Sequence, residues 1–253
     1  MRGFFAATCA AALLAPTAQA QDGELTLGGG VHYSSGDYGT ADTTTITSIA
    51  ATARYERGPW VYRATIPLLE VDGPSTVLPG VGPVRGGPAP SRKETGLGDI
   101  VLSATHATYY DPATTLGLDL TAKIKLPTAD ESKGLGTGET DFAFLVDLYR
   151  SFDRVTGFGG IGFHVLGDSP GLNLENAWSA NIGVSYRLDE YDTVGAMLEG
   201  RERVVAGGDP QRELSAFWTR RLDRAWRAQI YALIGLADGS PDWGLGLSFA
   251  RPL

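Results

Sequence analysis

The chain has 253 residues, 29 of them acidic and 21 basic, for a net charge of −8. That acidic balance excludes the basic stripe that nucleic-acid binding rewards. The single cysteine, Cys9, leaves neither a disulfide framework nor a thiolate metal site.

Residues 1–20 read as a cleavable signal peptide. Arg2 supplies a short basic start, "FFAATCAAALLA" is apolar but too short to span a bilayer, and Ala18-Gln19-Ala20 has the small-x-small pattern cut by signal peptidases. Cys9 lies inside the apolar run, too near the start for a lipoprotein anchor. The mature domain is therefore expected over 21–253, outside the cytoplasm of a bacterium. No later window holds the roughly eighteen unbroken apolar residues of a transmembrane helix, so any membrane span must be built from strands.

From Glu24 onward the chain breaks into alternating runs separated by Gly, Pro, Asp and Asn. "ELTLGGGVHY" from Glu24, "TSIAATARYE" from Thr47, "WVYRATIPLL" from Trp60 and "DIVLSATHATYY" from Asp99 come first. "TTLGLDLTAKIKL" from Thr114 is the cleanest, with Leu116, Leu118, Leu120, Ala122, Ile124 and Leu126 on one side and Asp119, Lys123 and Lys125 on the other. "TDFAFLVDLY" from Thr140, "VTGFGGIGFHVL" from Val155, "AWSANIGVSYRL" from Ala177 and "TVGAMLEGRERVV" from Thr193 follow. "ELSAFWTRRL" from Glu213, "AWRAQIYALIGL" from Ala225 and "DWGLGLSFARPL" from Asp242 complete about twelve strands of roughly ten residues, the length a tilted strand needs to cross a bilayer.

Every second connection is tight, as in "ERGP", "YDPA", "SFD", "DEYD" and "LDR", while the alternate ones are long. Short turns at one end and long loops at the other predict an all-β, antiparallel up-and-down transmembrane barrel. A two-sheet sandwich would also alternate, but it needs no outward aromatics near its strand ends. Trp60, Trp178, Trp218, Trp226 and Trp243 all take the apolar parity near a predicted strand end, as an interfacial belt would. The leucines are thus expected to face lipid and the charges a wet interior.

"GLGDIVLSA" at 96–104, "LDLTAKIKLPTADESKGLGTGETDF" at 118–142, "VLGDSPG" at 165–171, "SPDWGLGLSF" near the end and the segment from Trp60 resemble the MetA-pathway of phenol degradation family. The resemblance implies an outer-membrane barrel that moves small molecules, with aromatic compounds as the suggested class, and it carries over no catalytic residue. The closing "LSFARPL" departs at Arg251 and Pro252 from the terminal Phe or Trp of many barrels, which bears on assembly rather than fold.

The interior parity supplies the candidate site, a selectivity lining of Asp119, Lys123, Lys125, Asp141, Asp147, Glu199, Arg201, Arg203, Glu213, Phe217 and Tyr231. Lys123 and Lys125 should lie beside Glu139 and Asp141, and Arg203 near Glu213. Tyr149, Phe158, Met197, Phe217 and Tyr231 share this parity, either as filler or as a greasy lining. His32, His106 and His164 lack metal-ligand spacing, and Ser103 near His106 is the one local pair an embedded hydrolase would use. The proline- and glycine-rich 70–95 stretch is a candidate gate, with Val77, Leu78, Val81 and Val84 as its apolar anchors. The expectation is a channel without catalytic residues, metal or cofactor. Its partners would be outer-membrane lipid, small solutes and the barrel-assembly machinery, with a scaffold or surface-binding barrel as the alternative.

Overall fold

Alternation of apolar and polar residues at period two gives each strand one oily and one polar face, and a sheet made of such strands can close only with one of those faces inward. The computed structural model describes residues 23–84, 90–167 and 172–253, so the expected signal peptide lies outside the described residues. The chain forms β1 (Glu24–Gly36), β2 (Thr44–Arg57), β3 (Trp60–Pro74), β4 (Val77–Leu78), β5 (Gly82–Pro83), β6 (Ser91–Leu97), β7 (Ile100–Asp111) and β8 (Leu116–Leu126). It continues with β9 (Asp141–Phe152), β10 (Val155–Val165), β11 (Ala177–Arg187), β12 (Asp192–Arg201), β13 (Gln211–Arg221), β14 (Arg227–Gly235) and β15 (Trp243–Pro252).

Each long strand pairs antiparallel with its sequence neighbour, and β1 pairs with β15 to close the ring as a twelve-strand barrel. Closure leaves no strand edge, which a hydrocarbon environment demands because it offers no water to unpaired backbone groups. β3 is long enough to serve two partners: its first half pairs with β7, from Trp60 opposite His106, and its second half with β6, from Leu68 opposite Leu97. β6 and β7 together act as one wall strand, broken at Gly98 and Asp99, where the Gly98 N–H donates to the Pro67 carbonyl. The small hairpin β4–β5 stands apart from this wall.

The outer face is the oily one. Ile182 is 66% exposed, and Phe144, Ile161, Leu148 and Leu245 are exposed with it. Trp60, Trp218 and Trp226 sit at the tight-turn end and Trp178 and Trp243 at the loop end, making two girdles. Arginines at the turn end lie over these rings: Arg251 is 5.7 Å from the Trp226 ring centre and Arg220 6.0 Å from that of Trp218. Arg251, the departure in the terminal pattern, therefore has an interfacial place on the lipid side.

Two tight turns show why the turn end is short. Gly58 (φ 56°) and Asp153 (φ 53°) adopt the left-handed conformation that lets adjacent strands reverse within a few residues. Two of the apolar clusters of buried residues lie instead in the loop layer, while a third, Ala143 and Leu145 of β9 with Val101 of β7, sits on the inner wall. Leu135 packs with Ile46, Leu69, Val71 and Ala129, and Leu78 and Val84 pack with Leu172.

Candidate functional site: the charged lumen

Asp119, Lys123, Lys125, Asp141, Asp147, Glu199, Arg201, Glu213, Phe217 and Tyr231 all occupy the inward parity of their strands, on registers that alternate with the exposed apolar set. The strand pairings arrange them in lateral rows around the wall. One row runs Asp119, Asp147, Gly160, Asn181, Glu199 and Glu213 across β8 to β13. Asp147 accepts a hydrogen bond from Asn181 across β10, which is possible because residue 160 is glycine: a Cβ there would collide with the Asp147 carboxylate. Lys123 interacts electrostatically with Asp147 and Glu199 from different parts of the wall.

The loop end holds the tightest cluster. Lys125 stands opposite Asp141 in register, with its Nζ 2.7 Å from Asp141 Oδ2, 3.3 Å from Asp99 Oδ2 and donating to Thr137 Oγ1 at 2.8 Å. Its side chain is 3% exposed, so the ion pairs act at low dielectric and the desolvation cost must be met by several partners at once. Asp99 also accepts from the Ala129 N–H at 2.9 Å, tying the 126–140 loop to the cluster. Arg201, at the end of β12, donates to the Gly80 carbonyl at 2.9 Å, so a wall cation holds the tip of the β4–β5 hairpin. Beneath that tip a cavity of about 20 Å³, lined by Lys125, Asp141, His164 and Arg201 among others, is room for one water.

Outside the spanning strands, hydrogen bonds order two charged turns. Asp130 caps the Glu131–Lys133 turn, and its bonds from Ser132 hold its carboxyl below the usual range. The backbone N–H groups of Tyr191 and Asp192 do the same to Asp189 in the β11–β12 turn.

The inward aromatics do not project into the centre. Each lies against an in-register glycine of a neighbouring strand: Tyr149 over Gly117, Phe158 over Gly183, Phe217 over Gly195 and Tyr231 over Gly246, with a Cβ at any of these glycines colliding with the ring. A large side chain laid flat on the wall satisfies its packing and keeps the middle of the barrel for other groups. Tyr231 also places its hydroxyl 2.8 Å from His32 Nδ1.

Arg203 does not join the lining. β12 ends at Arg201, the Glu202 N–H bonds the Trp178 carbonyl, and the chain then bridges at Val205 to Leu174. That irregularity breaks the two-residue parity, and Arg203 sits exposed, 3.8 Å from Glu175, instead of near Glu213. Glu213 stands opposite Glu199, and Arg201 opposite Gln211. Ser103 and His106 fall on opposite faces of β7: Ser103 is flanked by inward Arg63 and Lys123, while His106 packs edge-on to Trp60 on the lipid side. They form no dyad. His164 meets Ser179 at 2.9 Å, and among the described residues no three His, Cys, Asp or Glu side chains converge as a metal set.

Asp99, Thr137, Arg54 and Arg63 were not among the candidate residues. The two arginines carry a sequence signal, since they alternate with Tyr55 and Tyr62 on the outward parity. The first two owe their place to loop folding and had none.

The closed ring, its two girdles and its charged interior define a transmembrane barrel of the outer-membrane type. The chain is similar in structure to the β domain of the Bordetella autotransporter Brka (TM-score 0.55, 12% identity, covering 92% of this chain and 100% of that one). It is also similar to the translocator domain of autotransporter NalP from Neisseria meningitidis (TM-score 0.54, 11% identity, 99% and 94% covered) and to the NanC porin (TM-score 0.53, 11% identity, 90% and 100% covered). At such identities the likeness is one of fold. The chain belongs to the family described as "Putative MetA-pathway of phenol degradation", which matches residues 18–202. No curated protein matches it in sequence.

Proposed function

We propose that the protein is an outer-membrane channel through which small molecules diffuse, with selection by lumen width and by the charges along its wall. The observation that carries this reading is the flat seating of the inward aromatics over glycines, which leaves the barrel axis to charged and polar groups. The selectivity lining is then Asp119, Lys123, Lys125, Asp141, Asp147, Glu199, Arg201, Glu213, Phe217 and Tyr231, with the β4–β5 hairpin as constriction at the extracellular end. The family's description makes aromatic compounds the first solutes to screen. On this reading the signal peptide directs export, the barrel-assembly machinery inserts the chain, and lipid covers the outer face.

The deep burial of Lys125, Asp141, His164 and Arg201 beneath the loops favours a second reading, a closed barrel that works as a scaffold or through its surface loops. Single-channel recording of the refolded mature protein in planar bilayers separates the two. Steady, salt-dependent current supports the channel; insertion without current, both in the intact protein and after excision of residues 77–83, rejects it.

A further inference from the structure

Arginines crowd the outer face at the tight-turn end. Arg150, Arg220 and Arg251 share the lipid-facing parity at the ends of β9, β13 and β15, and their guanidinium carbons lie 4.6 Å from the Phe152 ring centre, 6.0 Å from that of Trp218 and 5.7 Å from that of Trp226. Arg221 lies 5.3 Å from the ring of Tyr191 in the β11–β12 turn. The loop-end girdle is fitted differently: the Glu202 carboxylate accepts the Trp178 N–H at 3.0 Å, and Asp242 precedes Trp243.

A groove of about 730 Å³ crosses the rim at the turn end, between the β11–β12 turn, the β13–β14 turn and Pro252 of β15. Arg220, Arg221, Arg224 and Arg227 line it against two carboxylates, those of Glu190 and Asp223, which leaves two positive charges in excess. Asp223 is engaged by its own turn, accepting the N–H groups of Ala225 and Trp226 at 2.7 Å each. Asp192, next to the groove, takes Arg220 at 3.2 Å and the Trp218 indole N–H at 2.8 Å. Arg221 donates to the Glu190 carbonyl at 2.7 Å, a neutral acceptor. Among the described residues Arg221, Arg224 and Arg227 enter no ion pair.

The groove is also continuous with the oily wall. Tyr191 and Leu222 on its lining are 48% and 52% exposed, and the outward parity runs on from Leu222 to Trp218, whose register neighbour is Ile230. Tryptophans on this parity place the level at the membrane–water interface. A soluble anion would engage the guanidinium groups alone. An anionic lipid engages both surfaces, its phosphate accepting from the forked donors and its chains covering the exposed rings.

We propose that this groove binds an anionic glycerophospholipid of the phosphatidylglycerol type in the leaflet at the turn end, which is the periplasmic one for an outer-membrane barrel. The phosphate is held by Arg221 and Arg224, and the acyl chains lie on Leu222, Trp218 and Trp226. The site goes beyond the channel reading and needs only a barrel in a membrane, so a silent bilayer recording leaves it standing.

Native mass spectrometry of the refolded mature protein in detergent tests the site, with dioleoyl phosphatidylglycerol, dioleoyl phosphatidylcholine and glycerol 3-phosphate as probes. Phosphatidylglycerol should be retained about tenfold more strongly than phosphatidylcholine with the same chains, and equimolar glycerol 3-phosphate should not displace it. The double variant Arg221→Gln, Arg224→Gln should lose most of that preference. Arg212→Gln, which removes an exposed outward arginine at the loop end of β13, should keep it. Should the double variant lose the heat-modifiable gel mobility of a folded barrel, Arg224→Gln alone replaces it and should lower the preference about threefold; that side chain makes no hydrogen bond or ion pair among the described residues. Equal retention of the two lipids, or a preference that survives loss of the groove arginines, would overturn the site. An equal loss on Arg212→Gln would reduce it to net charge, and displacement by glycerol 3-phosphate would give the groove to a soluble anion; either result overturns the proposal too.

Discussion

At the scale of single residues, Lys125 shows how a barrel keeps charge away from water. Its ammonium is shared by Asp141 and Asp99, so the cluster tolerates the loss of one carboxylate better than the loss of the cation. Lys125→Met strands two buried carboxylates and should cost about 3 kcal/mol or more, whereas Asp141→Asn should cost clearly less because Asp99 still faces the lysine. Urea unfolding in lipid vesicles, followed by tryptophan fluorescence, measures both; equal costs would contradict the shared-cation geometry. Gly195 makes the complementary point about space. A Cβ there meets the Phe217 ring, so Gly195→Val should push the ring off the wall, cost about 1 to 3 kcal/mol and lower the unitary conductance.

At the scale of elements, the wall and the loops differ in how much of them the sequence reveals. Strand parity is a local property, and it alone placed Leu116 to Leu126 outward and Lys123 and Lys125 inward. The loop layer depends on contacts between distant segments: Arg201 on the Gly80 carbonyl, Asp99 on the Ala129 N–H, Leu135 under Ile46 and Leu69. Arg203 failed for the same reason, because a single bridge beyond β12 ends the alternation on which its placement relied. Val77, Leu78 and Val84, visible in the sequence as apolar anchors, are buried at 2%, 7% and 7% exposure, so the hairpin has a seat of its own. Its tip is nevertheless held to the wall by one guanidinium. Arg201→Gln should loosen it and raise the open probability in bilayer recordings, with the barrel's unfolding midpoint little changed; unaltered gating would mean that the hairpin does not limit passage.

At the scale of the whole molecule, the barrel inverts the usual placement of apolar residues, and its stability depends on which solvent each face meets. Neighbouring residues of one strand should therefore respond to the same substitution in different ways. Ile182, 66% exposed at the middle of β11, faces the hydrocarbon, and Ile182→Arg should cost about 2 to 4 kcal/mol in a bilayer. Asn181, one residue earlier, faces the lumen beside Asp147 and between Gly160 and Glu199 in its row. Asn181→Arg adds a cation next to carboxylates, so the barrel should fold and the reversal potential in a salt gradient should move toward anions. Unfolding in vesicles reads the first change and bilayer recording the second. If Ile182→Arg proved harmless while Asn181→Arg blocked folding, the two faces would have to be exchanged. Every assignment of lipid and lumen made from the alternation would then change sides with them.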